Sequence, residues 1–128
     1  MAKRISIDIP GIGHQAPIPM GCKIANIVYS SGIDGENPDT RSTPSDPAEQ
    51  AKSVFQNIRR FMTVAGGSPE DIIRLTLYVT DRKLREHFDK EWLAMFPDEH
   101  SRPARHAITS ELGKGKFFQV EIVAVLTA

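Results

Sequence analysis

Phe117-Phe118-Gln119-Val120-Glu121-Ile122-Val123-Ala124-Val125-Leu126 is the stretch that decides the fold. Read as a strand, it puts Phe118, Val120, Ile122, Ala124 and Leu126 on one face and Phe117, Gln119, Glu121, Val123 and Val125 on the other. The first face suits a cover of helices. The second is too apolar to be left in water, so a sheet built on this strand needs cover on both sides.

Upstream, the sequence supplies cover for one side only. Asp46 is placed as an N-cap, Pro47 at the first helical position and Glu49 three residues after the cap, a capping-box-like helix start. Ala51, Val54, Phe55, Ile58, Phe61, Met62 and Ala65 then recur at three- and four-residue steps, and Gly66-Gly67 supplies a left-handed stop. A second helix is predicted after the cap Asp81, with a stripe of Leu84, Phe88, Trp92, Met95 and Phe96, ended by Pro97. Between the helices, Ile73, Leu75, Leu77 and Val79 alternate with Arg74, Thr76 and Tyr78, which reads as a strand with one apolar face.

Near the start, Arg4 to Ile9 alternates polar and apolar up to Pro10-Gly11, and Gly13-His14-Gln15-Ala16-Pro17-Ile18-Pro19 reads as a proline-bounded loop. Cys22 to Ser31 reads as two short strands about an Ala25-Asn26 turn, ending at Gly32, and a polar loop fills 34–45. The order strands, helix, strand, helix, strands predicts an α+β domain over 1–128 in which both helices cover one side of a single mixed sheet. No third helix remains for the other side, so another subunit is expected there.

Ser101-Arg102-Pro103-Ala104-Arg105-His106-Ala107-Ile108 adds a strand that opens at a proline, with Arg105, Ala107 and Thr109 on one face and Ala104, His106 and Ile108 on the other. An arginine aimed into a sheet surface needs an anion, because its guanidinium keeps its charge and is costly to bury unpaired. Two explanations stand: an ion pair with one of the chain's own acids, or a substrate carboxylate held bidentately. Glu121, on the uncovered face among apolar residues, is a candidate general base; the alternative is that it pairs with Arg105 or Arg74. Ser30-Ser31-Gly32 ends a strand and offers a hydroxyl and backbone N–H groups to an oxyanion. His106, facing away from Arg105, reads as packed rather than catalytic.

Composition narrows the partners. The chain has 128 residues, with sixteen Lys plus Arg against sixteen Asp plus Glu and no net charge, so it lacks the basic footprint of a nucleic-acid binder. No stretch has the length and apolarity of a membrane span, and no apolar leader follows Met1, so a cytoplasmic protein is expected. Cys22 is the only cysteine and reads as a small core residue, since no local Cys-His signature accompanies it. His14, His87, His100 and His106 lack the spacing of a zinc site, so no metal is expected.

The pattern resembles the reactive intermediate deaminase family (RidA, also called YjgF), many of whose members are labelled L-PSP endoribonuclease. The resemblance rests on Asn26-Ile27-Val28-Tyr29-Ser30-Ser31-Gly32, Gln50-Ala51 to Asn57, Ala65-Gly66-Gly67, Asp71 to Val79, Arg102-Pro103-Ala104-Arg105 and Val120-Glu121-Ile122. It implies a chorismate-mutase-like (ferredoxin-like) subunit and a homotrimer whose sheets form a central barrel, with sites between subunits. It also implies hydrolysis of 2-imino or enamine acids, such as 2-aminoacrylate tautomers, to 2-keto acids and ammonia without a metal or organic cofactor. Arg105 then matches the anchor of the substrate carboxylate, Glu121 the carboxylate that orients water, and Ser31 and Gly32 residues that line the site. The family's loop tyrosine has no clear counterpart, and Ile18 is the ungapped candidate. Ala107 stands where many members have cysteine, Asp89 where asparagine is common, and Trp92 where tyrosine stands. The alternatives are a non-catalytic binder of 2-keto acids with a signalling or chaperone-like role and, less favoured by the neutral charge, an endoribonuclease.

Overall fold

Asp46 starts the first helix as its sequence predicts, its side chain accepting a hydrogen bond from the Glu49 N–H, and Gly66, at φ 94°, ends it with its N–H on the Met62 and Thr63 carbonyls. The structure, a computed structural model, describes residues 3–14 and 16–127; Gln15 of the predicted proline-bounded loop, and Met1 at the start of the expected leaderless segment, lie outside them. The strands and helices are β1 (Arg4–Ile7), β2 (Gly21–Ile24), β3 (Ile27–Ser30), α1 (Pro47–Ala65), β4 (Ile72–Val79), α2 (Arg85–Met95), β5 (Ala104–Thr109) and β6 (Phe118–Val125). They form one mixed six-stranded sheet in the order β1-β2-β3-β6-β4-β5, in which β4 and β5 run parallel and the other pairs antiparallel. Among the described residues the architecture is α+β with two helices on one face of a single sheet.

The core lies between those helices and the sheet. Val28, Leu75, Leu77, Phe118, Val120 and Ala124 on the strands are fully buried against Val54, Ile58, Phe61, Met62 and Phe88 of the helices. Phe88 links both layers, its ring 4.8 Å from Phe55 and 5.8 Å from Phe118, centroid to centroid. Gln50 is the polar exception: fully buried, it donates to the Pro44 and Gly115 carbonyls and accepts from the N–H groups of Phe117 and Phe118. It thereby fixes the entry of β6.

The opposite face carries Cys22, Ile24, Ile27, Tyr29, Tyr78, Val123 and Val125 by strand register. Ile24, Ile27 and Tyr29 are about half exposed on it, so this face is unpartnered in one copy of the chain. Three expectations need correction. Ile73 is 53% exposed and Ile72 is buried in its place, because a bulge between Ile72 and Arg74 shifts the alternation by one residue. Asp81 caps the 3-10 turn Arg82–Leu84, accepting from Lys83 N–H, and α2 begins only at Arg85. Cys22, opposite Tyr29 on the open face, is half-buried rather than a core residue.

Candidate functional site

Arg105 stands on β5, the edge strand, in register with Leu75, and Ala107 is in register with Leu77. Both therefore project to the side that carries the helices, where α2 meets them. The guanidinium carbon of Arg105 lies 5.0 Å from the ring centroid of Phe88 and 5.1 Å from that of Trp92, a slot between two aromatic faces. Arg105 Nη2 is 2.6 Å from Asp89 Oδ1, and the arginine side chain is only 19% exposed. The intramolecular ion pair, one of the two explanations for this arginine, is thus realised, with an acid from the facing helix. The Asp89 Oδ1 is buried, and its contact with Arg105 is an ion pair without an aligned hydrogen bond. A guanidinium has five donors, and Asp89 meets one edge of it. Beside the pair opens a cavity of about 450 Å³ lined by Arg85, Asp89, Trp92, Leu93, Arg105 and Ala107.

Glu121 lies on the open face of β6, exposed and in register with Thr76. It pairs with neither Arg105 nor Arg74, against the structural alternative offered by its sequence. Arg105 is across the sheet from it, and Arg74 is level with Val123 instead. Its partner is Tyr78, whose hydroxyl donates to Glu121 Oε1 at 2.7 Å. That hydrogen bond, aided by burial and the carboxylate's charge, raises the tyrosine's pKa above its ordinary value. His106, expected to be packed, is exposed on the same open face.

The end of β3 is built around Ser31. Its hydroxyl donates to the Pro19 carbonyl at 2.8 Å and its N–H to the Met20 carbonyl at 2.7 Å, so this N–H is not free for an oxyanion as expected. Ser30 is engaged as well, its hydroxyl accepting from the Ile122 N–H at 2.8 Å. These bonds hold Pro19 and Met20 against the end of β3. A Cβ on Gly32 would come within 2.9 Å of the Gln119 Cδ, so the glycine leaves room for that amide. Ile18, Gly32, His14, Lys116 and Gln119 are among the residues lining a second cavity of about 420 Å³.

One copy of the chain therefore brings Arg105 and Ala107 together on one side of the sheet. Ile18 and Gly32 meet at a separate cavity, and Glu121 stands on the open face. Four side chains of this geometry had no role in the sequence reading: Tyr78, Arg85, Asp89 and Gln119. The signals were present in part. Arg85, Asp89 and Trp92 recur at four- and three-residue steps on α2, whereas Tyr78 and Gln119 come opposite each other only once β4 pairs with β6.

The family model described as Endoribonuclease L-PSP matches residues 15–128. The chain is 30% identical over 117 residues to a RutC family protein of Aquifex aeolicus, covering 87% of this chain and 94% of that one. It is 28% identical over 111 residues to the 2-iminobutanoate/2-iminopropanoate deaminase of Escherichia coli K12, covering 85% and 87% respectively. Its fold superposes on the crystal structure of RidA from the Antarctic bacterium Psychrobacter sp. PAMC 21119 with a TM-score of 0.88 and 27% identity, covering 95% of this chain and 99% of that one.

Proposed function

The chain belongs to the Endoribonuclease L-PSP family, the RidA/YjgF family, and on that premise we propose that it hydrolyses small 2-imino or enamine acids to 2-keto acids and ammonia in clefts between copies of itself. The observation that carries this reading is Arg105: a cation set between two aromatic rings, largely shielded from water, at the wall of a cavity large enough for a small acid. The substrate carboxylate takes the guanidinium edge that Asp89 leaves free. The name of the Escherichia coli relative, which specifies 2-imino acids, supports the same substrate class.

Glu121 lies on the other side of the sheet from Arg105, so a complete site takes Arg105 from one copy and Glu121 from the next. The unpartnered open face, which presents Glu121 among apolar side chains, supports a homotrimer closed through these faces. In that cleft Glu121 accepts a proton from water as the oxygen attacks C2 of the imine, giving a carbinolamine. Both protons of the water end on nitrogen, one handed back by Glu121 and the other given up by the carbinolamine hydroxyl, as the C–N bond breaks and ammonia leaves with a 2-keto acid behind it. Tyr78 holds Glu121 in place by its hydrogen bond. These imines also hydrolyse unaided, so positioning and one base supply enough barrier lowering.

The test generates 2-aminoacrylate from serine with a pyridoxal-phosphate dehydratase and follows keto-acid release. Wild type accelerates release and Arg105→Ala does not; equal rates for the two sink the proposal. The pairing of Asp89 with Arg105 favours a second reading, a carboxylate binder without turnover. Keto-acid binding by calorimetry with no acceleration of imine loss selects it.

A further inference from the structure

The cleft holds more positive charge than one carboxylate needs. Arg85, at the first turn of α2, lines the cavity that contains Arg105, Asp89 and Ala107. It also lines a smaller adjoining cavity of about 160 Å³ with Arg82, Val79, Ala107 and Thr109. The two spaces share Arg85 and Ala107, so both adjoin the small side chain at 107. Arg105, Ala107 and Thr109 occupy successive positions on one face of β5, at about 6–7 Å per step of two residues. Arg85 lines both the space that holds Arg105 and the one that reaches Thr109, further along that face of β5.

The charges do not cancel. Asp89 neutralises Arg105 at 2.6 Å, whereas among the described residues neither Arg82 nor Arg85 forms an ion pair or a side-chain hydrogen bond. Arg85 and Asp89 are spaced for a helical ion pair, yet Asp89 turns to Arg105 instead. Arg85 is half-buried at the cavity wall, where an unmatched guanidinium attracts an anion. A substrate with only one carboxylate leaves this second site unused.

We infer, resting on the deaminase reading above, that the cleft selects 2-imino acids whose side chain ends in a second carboxylate. The C1 carboxylate takes Arg105 and the distal carboxylate takes Arg85, with Arg82 adding to the field. The reaction is unchanged: water adds at C2, the C–N bond breaks, and the products are ammonia and a dicarboxylic 2-keto acid.

The experiment generates the imines of aspartate, glutamate and 2-aminobutyrate with amino-acid oxidases and compares kcat/KM for the three. In parallel, calorimetry measures binding of 2-oxoglutarate and 2-oxobutanoate. Wild type prefers the diacids by roughly tenfold or more, as expected when a hydrogen bond to a charged group is gained. Arg85→Ala collapses that ratio, Arg85→Lys restores part of it, and Arg59→Ala on the exposed face of α1 leaves it intact. Equal preference in wild type, or a ratio unmoved by Arg85→Ala, overturns the inference while leaving deamination standing. Diacid binding that depends on Arg85, with no imine turned over, sinks the deaminase reading and keeps the selectivity.

Discussion

Tyr78 donates its hydroxyl to Glu121 Oε1 at 2.7 Å, diagonally across β4 and β6, on the face of the sheet opposite to Arg105. The bond holds the proton on the tyrosine above its ordinary pKa of 10.0. A group with a raised folded pKa contributes its stability below the unfolded pKa and loses it as pH climbs through the folded value. Any part of that stability therefore disappears only in strong alkali. In an ultraviolet titration, Glu121→Gln brings the higher tyrosine midpoint down toward the ordinary value. A midpoint unmoved by that change means the contact does not persist in solution. Tyr78→Phe frees Glu121 to rotate, and kcat falls severalfold with a smaller change in KM.

Asp89 leaves one edge of the Arg105 guanidinium open but offsets the charge that draws an incoming carboxylate to it. Asp89→Asn keeps the side-chain volume and removes the charge. It is expected to tighten binding of 2-oxobutanoate by severalfold in calorimetry, an increment in the range of a partly exposed ion pair. Unchanged or weaker binding means that Asp89 orders Arg105 for the ligand rather than opposing it.

Gln50 gives a prediction about stability instead of chemistry. It is fully buried and accepts from the N–H groups of Phe117, at 2.6 Å, and Phe118, at 3.3 Å. Gln50→Ala strands these donors where water does not reach them, and each unsatisfied group costs about 1–3 kcal/mol. Urea denaturation should show a loss of about 2–4 kcal/mol with little change in slope. Gln50→Glu retains the acceptor for both N–H groups but loses the donor to Pro44 and Gly115, so a smaller loss there separates the two ends of the amide.

The sheet and helices were legible because their signals are local. The two faces of Phe117–Leu126, the cap Asp46 and the stop Gly66 each state their structure within a few residues. What failed was non-local. The bulge at Ile73 depends on how β4 registers against β6, which no alternation within β4 reveals. Arg105 was correctly grouped with Ala107 and Thr109. That this face turns toward α2 rather than toward Glu121 is fixed only when β5 pairs in parallel beside β4. The ion pair with Asp89 and the hydrogen bond from Tyr78 follow from the same packing. Neither partner is near its mate in sequence.

The division of the site between copies has its own test, because Arg105 and Glu121 face opposite sides of one sheet. Arg105→Ala chains keep a native Glu121, and Glu121→Gln chains keep a native Arg105. If each cleft takes one residue from each of two neighbours, each variant alone is inactive. Trimers re-formed from an equal mixture then regain about a quarter of the wild-type sites, because each cyclic interface draws its two contributors independently. A site contained in one chain regains none. Val123→Asp, placed on the open face in register with Tyr29, supplies the companion measurement. By sedimentation it should yield monomers that keep their circular dichroism and lose imine hydrolysis. Monomers that retain full activity, or mixtures that recover nothing, remove the shared cleft from the mechanism.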